Sequence, residues 1–184
     1  MTLIDADRAQ SLYDAMGPGR EISGGSAANT LAGLAKLGHS TSFIGQVADD
    51  QLGDVFAHDV RAGGIDFTVA AREGEPPTAR CLILVTPDGQ RTMNTFLGAA
   101  QYLPESAIDK AKIEDSAWLY LEGYLWNAPE SRAAMTGAIK IAKAAGRNNY
   151  QYYTAAMNAR ALEKLQLETG IRRALERSEL LLLY

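Results

Sequence analysis

Apolar residues recur at helical spacing near the start of the chain, where Ala6, Ala9, Leu12, Tyr13 and Met16 fall within residues 5–16, and Gly17-Pro18-Gly19 ends the pattern. After Ile22-Ser23-Gly24-Gly25-Ser26-Ala27-Ala28-Asn29, the run Thr30–Leu37 consists of good helix formers closed by Gly38, and Ser42–Gly45 follows as a short apolar strand. Residues 50–62 predict another helix, ended by Gly63-Gly64; Phe67–Ala70 and Ala79–Thr86 predict strands. The second of these meets a turn at Pro87-Asp88-Gly89 and a return strand at Arg91–Phe96, which makes a hairpin. Trp118–Leu121 has the apolar character of a buried parallel strand, and Glu130–Ala145 predicts a helix closed by Gly146. Helices alternating with strands, interrupted by a hairpin, predict an α/β fold with a mainly parallel sheet and a small β projection.

The pattern changes after Gly146. Residues 147–153 are polar and aromatic, 157–177 predict one long charged helix with Leu162, Leu165, Ile171 and Leu175 as apolar points, and 179–184 predict a strand. The expected division is therefore 1–146 and 147–184.

Composition narrows the possibilities. The 184 residues carry 18 Lys plus Arg against 22 Asp plus Glu, a net charge of −4, which offers no electrostatic reason for binding nucleic acid or an anionic membrane. Cys81 is the single cysteine, so intramolecular disulfides and CxxC-type zinc sites are excluded, and its apolar strand setting predicts a core residue. The N-terminus lacks a secretory pattern, and no run approaches roughly 18 apolar residues; the expected location is the cytoplasm.

The segment richest in chemistry is Gly24–Asn29. Two glycines before a helix let the backbone approach a ligand, and the Asn29 amide both donates to and accepts from hydroxyls, as a polyol site needs. A Gly-rich turn with a structural Asn capping a helix fits the same residues. Asp49-Asp50 reads as helix capping rather than an acid/base pair. His39 and His58 have no metal-site spacing, and no GxxxxGK[ST] phosphate loop occurs.

With the downstream Phe43-Ile44-Gly45-Gln46-Val47-Ala48-Asp49-Asp50-Gln51-Leu52-Gly53, the Gly24–Asn29 segment resembles the first signature of the ribokinase/PfkB family. The resemblance continues through Thr78–Asn94, which is similar to that family's lid hairpin, and through Leu121-Glu122-Gly123-Tyr124. Arg91-Thr92-Met93 and Thr95–Ala100 are most similar to adenosine-kinase-like bacterial sugar kinases. Leu31 and Ala48 depart from the signature, standing where a small residue and a glycine are usual.

The resemblance implies a partial ribokinase-like fold with a β-hairpin lid carrying Arg80 and Arg91. It implies substrate contacts at Gly24, Gly25, Ser26, Ala27, Ala28, Asn29 and Glu122, a sugar or nucleoside as ligand, and a homodimer formed through the lid or an exposed sheet edge. It also implies ATP and Mg2+ as cofactors of the parent family, with no strong binding of either to this chain. Phosphoryl transfer needs an oriented hydroxyl, a base, groups that stabilise the moving phosphate, and a nucleotide pocket. In the resembled family the base and anion hole come from a late Asp-Thr-x-Gly-Ala-Gly-Asp type motif, absent from residues 1–184, so no catalytic residue is assigned. Met1 is expected to lie beyond the family's first strand and its sugar-binding Asp. The expectation is a kinase piece without turnover, or a non-catalytic sugar-binding module.

Residues 142–184 carry a different resemblance, to the junction between GGDEF and EAL domains of cyclic-di-GMP signalling proteins, without either active site. Both resemblances share Ala142–Arg147, so two coding sequences are expected to meet there; the alternative function is a regulatory fragment of such a protein.

Overall fold

The computed structural model describes residues 2–146; the helix and strand expected over 157–184 lie outside them. The order is β1 (Thr2–Leu3), α1 (Ala6–Ala15), α2 (Ser26–Lys36), β2 (Thr41–Ser42), α3 (Gln51–Ala62), β3 (Ile65–Asp66), β4 (Arg80–Val85), β5 (Arg91–Phe96), α4 (Lys110–Asp115) and α5 (Pro129–Ala144), with short 3-10 turns between β5 and α5. Asp5 caps α1 by accepting from the Arg8 N–H at 2.8 Å, and Pro129 opens α5, where its missing N–H costs nothing.

β1 runs parallel to β5, which pairs antiparallel with β4, and β2 runs parallel to β3. This is an α/β fold whose larger sheet is mixed. The hairpin forms where the turn residues predict it: Gly89 adopts φ +82°, its N–H donates to the Thr86 carbonyl, and the Thr86 hydroxyl donates to Asp88. α1 packs against β4 and β5 and covers the face carrying Leu82 and Phe96, both buried. The main core gathers Val47, Val60, Ile65 and Phe67 between α2 and α3, with the rings of Phe43, Phe56 and Phe67 meeting at 5.7–5.8 Å between centroids. A second cluster joins Ile113 of α4 to Ala138 and Ala142 of α5.

Four expectations are corrected. The helix expected from Thr30 begins at Ser26, because the glycine pair already breaks the chain before it. Phe67–Ala70 is not a strand; the ladder stops at Asp66, and the buried Gln46 amide donates to the carbonyls of Ala70 (2.9 Å) and Val47 (2.8 Å) instead. Cys81 is exposed, because pleating directs it away from α1 while Leu82 takes the covered face; Thr95 Oγ1 donates to its sulfur at 3.3 Å.

The fourth correction concerns Trp118–Leu121, which forms no strand and pairs with no strand among the described residues. Trp118 is 85% exposed and only Leu119 packs, against the second cluster. Apolar character drives burial only where another surface is available to meet it. Trp118→Ser is therefore expected to change the stability of this chain by no more than about 0.5 kcal/mol in urea unfolding.

Candidate functional site

Gly25 stands at the N-terminal boundary of α2 with φ +104°, a backbone conformation that favours glycine. The first N–H groups of any helix lack an intrahelical partner, and in α2 no side chain caps them. Ala28 turns its methyl into the core and is left with its backbone for any contact, whereas Ser26 and Asn29 are exposed. Asn29 lies inside the helix, its N–H donating to the Gly25 carbonyl at 2.9 Å, so it is not a cap. Its Nδ2 folds back over Gly24, 4.0 Å from where a Cβ there would stand.

Glu122 belongs to the segment after α4 and is half-buried in extended backbone. Tyr120, two residues earlier, donates its hydroxyl to Glu122 Oε1 at 2.8 Å. The Glu122 hydrogen bond raises the Tyr120 pKa, with burial and the charges of Glu122 and Tyr124 adding to the shift and Thr30 opposing it. Gly25, Ser26 and Asn29 are exposed at the start of α2, Glu122 is half-buried, and the rings of Tyr120 and Tyr124 near it in sequence are exposed.

The two hairpin arginines expected at a lid are not brought together. Arg80 pairs with Phe96 at the base of the hairpin and Arg91 with Val85 near its tip, five positions along the strand and roughly 17 Å apart. Arg80 Nη2 donates to Gln10 Oε1 of α1 at 3.3 Å, while Arg91 is exposed.

The lid base holds a node absent from the sequence expectations. Asp50 caps α3, as read from its position, by accepting from the Gly53 N–H at 2.8 Å; it also accepts from the Thr78 N–H (2.8 Å) and Thr78 Oγ1 (2.7 Å), and Thr78 Oγ1 accepts from the Ala48 N–H at 2.9 Å. Burial alone would raise the Asp50 pKa, but the bonds from Thr78, Gly53 and Leu52 outweigh it and hold the carboxyl below its ordinary value. Only the cap was legible, since no periodicity links Asp50 to a residue 28 positions on. A second unforeseen bond runs from Ser23 Oγ to Asp59 Oδ2 of α3 at 2.5 Å.

Among the described residues no group of three or more His, Cys, Asp or Glu side chains could hold a metal ion. No transfer step is assigned to these residues.

The sequence pattern of the pfkB family of carbohydrate kinases matches residues 3–169. The crystal structure of adenosine kinase from Sinorhizobium meliloti superposes with a TM-score of 0.76 at 50% identity, covering 79% of this chain and 45% of that one. The 5-dehydro-2-deoxygluconokinase of Shouchella clausii is 32% identical over 126 residues, which are 67% of this chain and 39% of that protein. The fructokinase of Escherichia coli is 27% identical over 123 residues, 40% of its length. The chain thus spans less than half the length of each of these relatives.

Proposed function

Since this chain belongs to the pfkB family of carbohydrate kinases, we propose that it supplies the acceptor side of a phosphoryl-transfer site for a nucleoside or sugar hydroxyl. The observation that carries this reading is the start of α2, where Gly25 at φ +104° opens a helix without a side-chain cap and Asn29 is exposed, together with the Glu122 carboxylate that Tyr120 holds at 2.8 Å. Glu122 would accept from one ligand hydroxyl, Asn29 would donate to and accept from its neighbour, and the free N–H groups after Gly25 would hold an oxygen close to the backbone. The exposed rings of Tyr120 and Tyr124 provide apolar faces beside these groups, which suits a nucleoside better than a bare sugar. The 50% identity to an adenosine kinase supports the same order of preference.

ATP and Mg2+ would come to groups other than those described, and no turnover is expected from this chain alone. A cytoplasmic setting and self-association through the hairpin belong to the same reading; one face of β4 exposes Ile83 and Val85. Among the described residues no helix is long and apolar enough to cross a membrane. The family match running to residue 169 favours a kinase over a cyclic-di-GMP signalling fragment. A change of parent sequence within 142–147 is tested by one long sequencing read across those codons.

Titration calorimetry with adenosine and fructose tests the site. Adenosine is expected to bind, Asn29→Ala and Glu122→Gln each to weaken it by about tenfold or more, and ATP to yield no phosphorylated product. Binding unaffected by both substitutions would overturn the site, and product formation would overturn the assigned lack of turnover.

A further inference from the structure

Resting on the acceptor-site reading, we propose that Asp59, on α3 and outside that site, is the positioning residue for the Gly24–Gly25 loop and acts through Ser23. Residues 17–24 connect α1 to α2, and among the described residues one hydrogen bond ties this stretch to the rest of the fold, from Ser23 Oγ to Asp59 Oδ2 at 2.5 Å. Packing does not replace it: Ile22, the large apolar residue of the stretch, is 72% exposed. The backbone that follows is intrinsically loose, because Gly24 and Gly25 have more conformational freedom to lose than any other residue type.

A tether one residue before that pair restricts the positions from which the glycines can lead into α2, and so biases where the first N–H groups of α2 point. The acceptor is a carboxylate, and charge-assisted hydrogen bonds are shorter and stronger than neutral ones. The Ser23 bond, followed by the His58 bond, holds the Asp59 carboxyl below its ordinary pKa, so the acceptor is ionised at neutral pH. His58 Nδ1 lies 3.2 Å from the other carboxylate oxygen, Oδ1, and does not compete for the oxygen that Ser23 uses. The anchor is firm because α3 is part of the main core through Val60, the residue next to Asp59.

The test combines amide hydrogen exchange over residues 22–29 with adenosine titration, in the full 184-residue chain and in Ser23→Ala, Asp59→Ala, Asp59→Asn, His58→Gln and the Ser23→Ala/Asp59→Ala double variant. The two alanine variants are expected to speed exchange at Gly24 and Gly25 and to weaken adenosine by about fivefold, the scale of an exposed charged contact. The double variant should be no worse than either single one, Asp59→Asn should retain part of the effect through its amide oxygen, and exchange within α3 should be unchanged. A purely structural role would instead raise exchange across α3. Unchanged exchange at Gly24 and Gly25 in Asp59→Ala, or additive effects in the double variant, would overturn the proposal. If the unsubstituted chain binds neither adenosine nor fructose, the acceptor-site reading fails, while the exchange comparison still decides the tether.

Discussion

Gly98→Ala is expected to destabilise the chain by about 3 kcal/mol or more. Gly98 has φ +46°, and a Cβ there would lie 2.2 Å from the Pro77 carbonyl oxygen and 3.1 Å from the Ala79 nitrogen. Both neighbours are backbone, so neither can swing aside as a side chain would. The contact is needed, because the next residue, Ala99, donates its N–H to the same Pro77 carbonyl at 2.9 Å. Gly53→Ala meets the same obstacle from the other side, with a Cβ 2.1 Å from the Ala48 carbonyl oxygen. For a domain of this size the loss corresponds to a fall in Tm of roughly 6–12 °C by differential scanning calorimetry. Gly17→Ala is the control: nothing lies within 4 Å of its Cβ position, and its Tm should stay close to that of the unsubstituted chain. A Gly98→Ala protein with an unchanged Tm would mean that the segment 77–79 does not pass this close.

Asp50→Ala is expected to cost about 2–4 kcal/mol, because one carboxylate both caps α3 and holds the start of β4. Its removal leaves the Thr78 N–H and hydroxyl without their acceptor, and Thr78 is buried. Thr78→Val removes the hydroxyl but keeps the N–H bond, so its cost should be smaller, and the two losses should not add because they share an interaction. The pH dependence has a definite sign. The folded-state pKa of Asp50 lies below that of the unfolded chain. Its stabilisation is therefore complete above about pH 4 and disappears as pH falls through the folded value. Urea unfolding at several pH values should show the Asp50→Asn chain losing less stability on acidification than the parent. Partial solvation of the carboxylate keeps that difference modest. Equal acid sensitivity in both chains would exclude Asp50 as a linked group.

Tethers of this kind matter to the proposed activity because the acceptor surface is assembled from segments that are individually weak. α2 starts from two glycines, Glu122 sits in unpaired backbone, and the hairpin stands on Thr78 and Gly98. Of these, the loop before α2 is held to α3 by the Ser23–Asp59 bond, and the start of β4 is held to the α3 cap by the Thr78–Asp50 bonds.

Much of the local architecture was determined by the sequence alone, because its causes act over a few residues. Asp5 and Asp50 stop the chain at helix starts, and Gly89 accepts a left-handed turn where the hairpin needs it. Periodic apolar residues select α1 and α3, and the Gly24–Asn29 signature with Glu122 marks a candidate site before any fold is known. What only the tertiary structure decided depends on pairs far apart in the chain. Cys81 and Leu82 are both apolar neighbours in one strand, and only the position of α1 determines which is covered. Trp118–Leu121 has the composition of a central strand, but a ladder needs a partner and none among the described residues pairs with it. The meetings of Ser23 with Asp59 and Asp50 with Thr78 likewise follow from packing, since each depends on where two distant backbones settle rather than on the preferences of either.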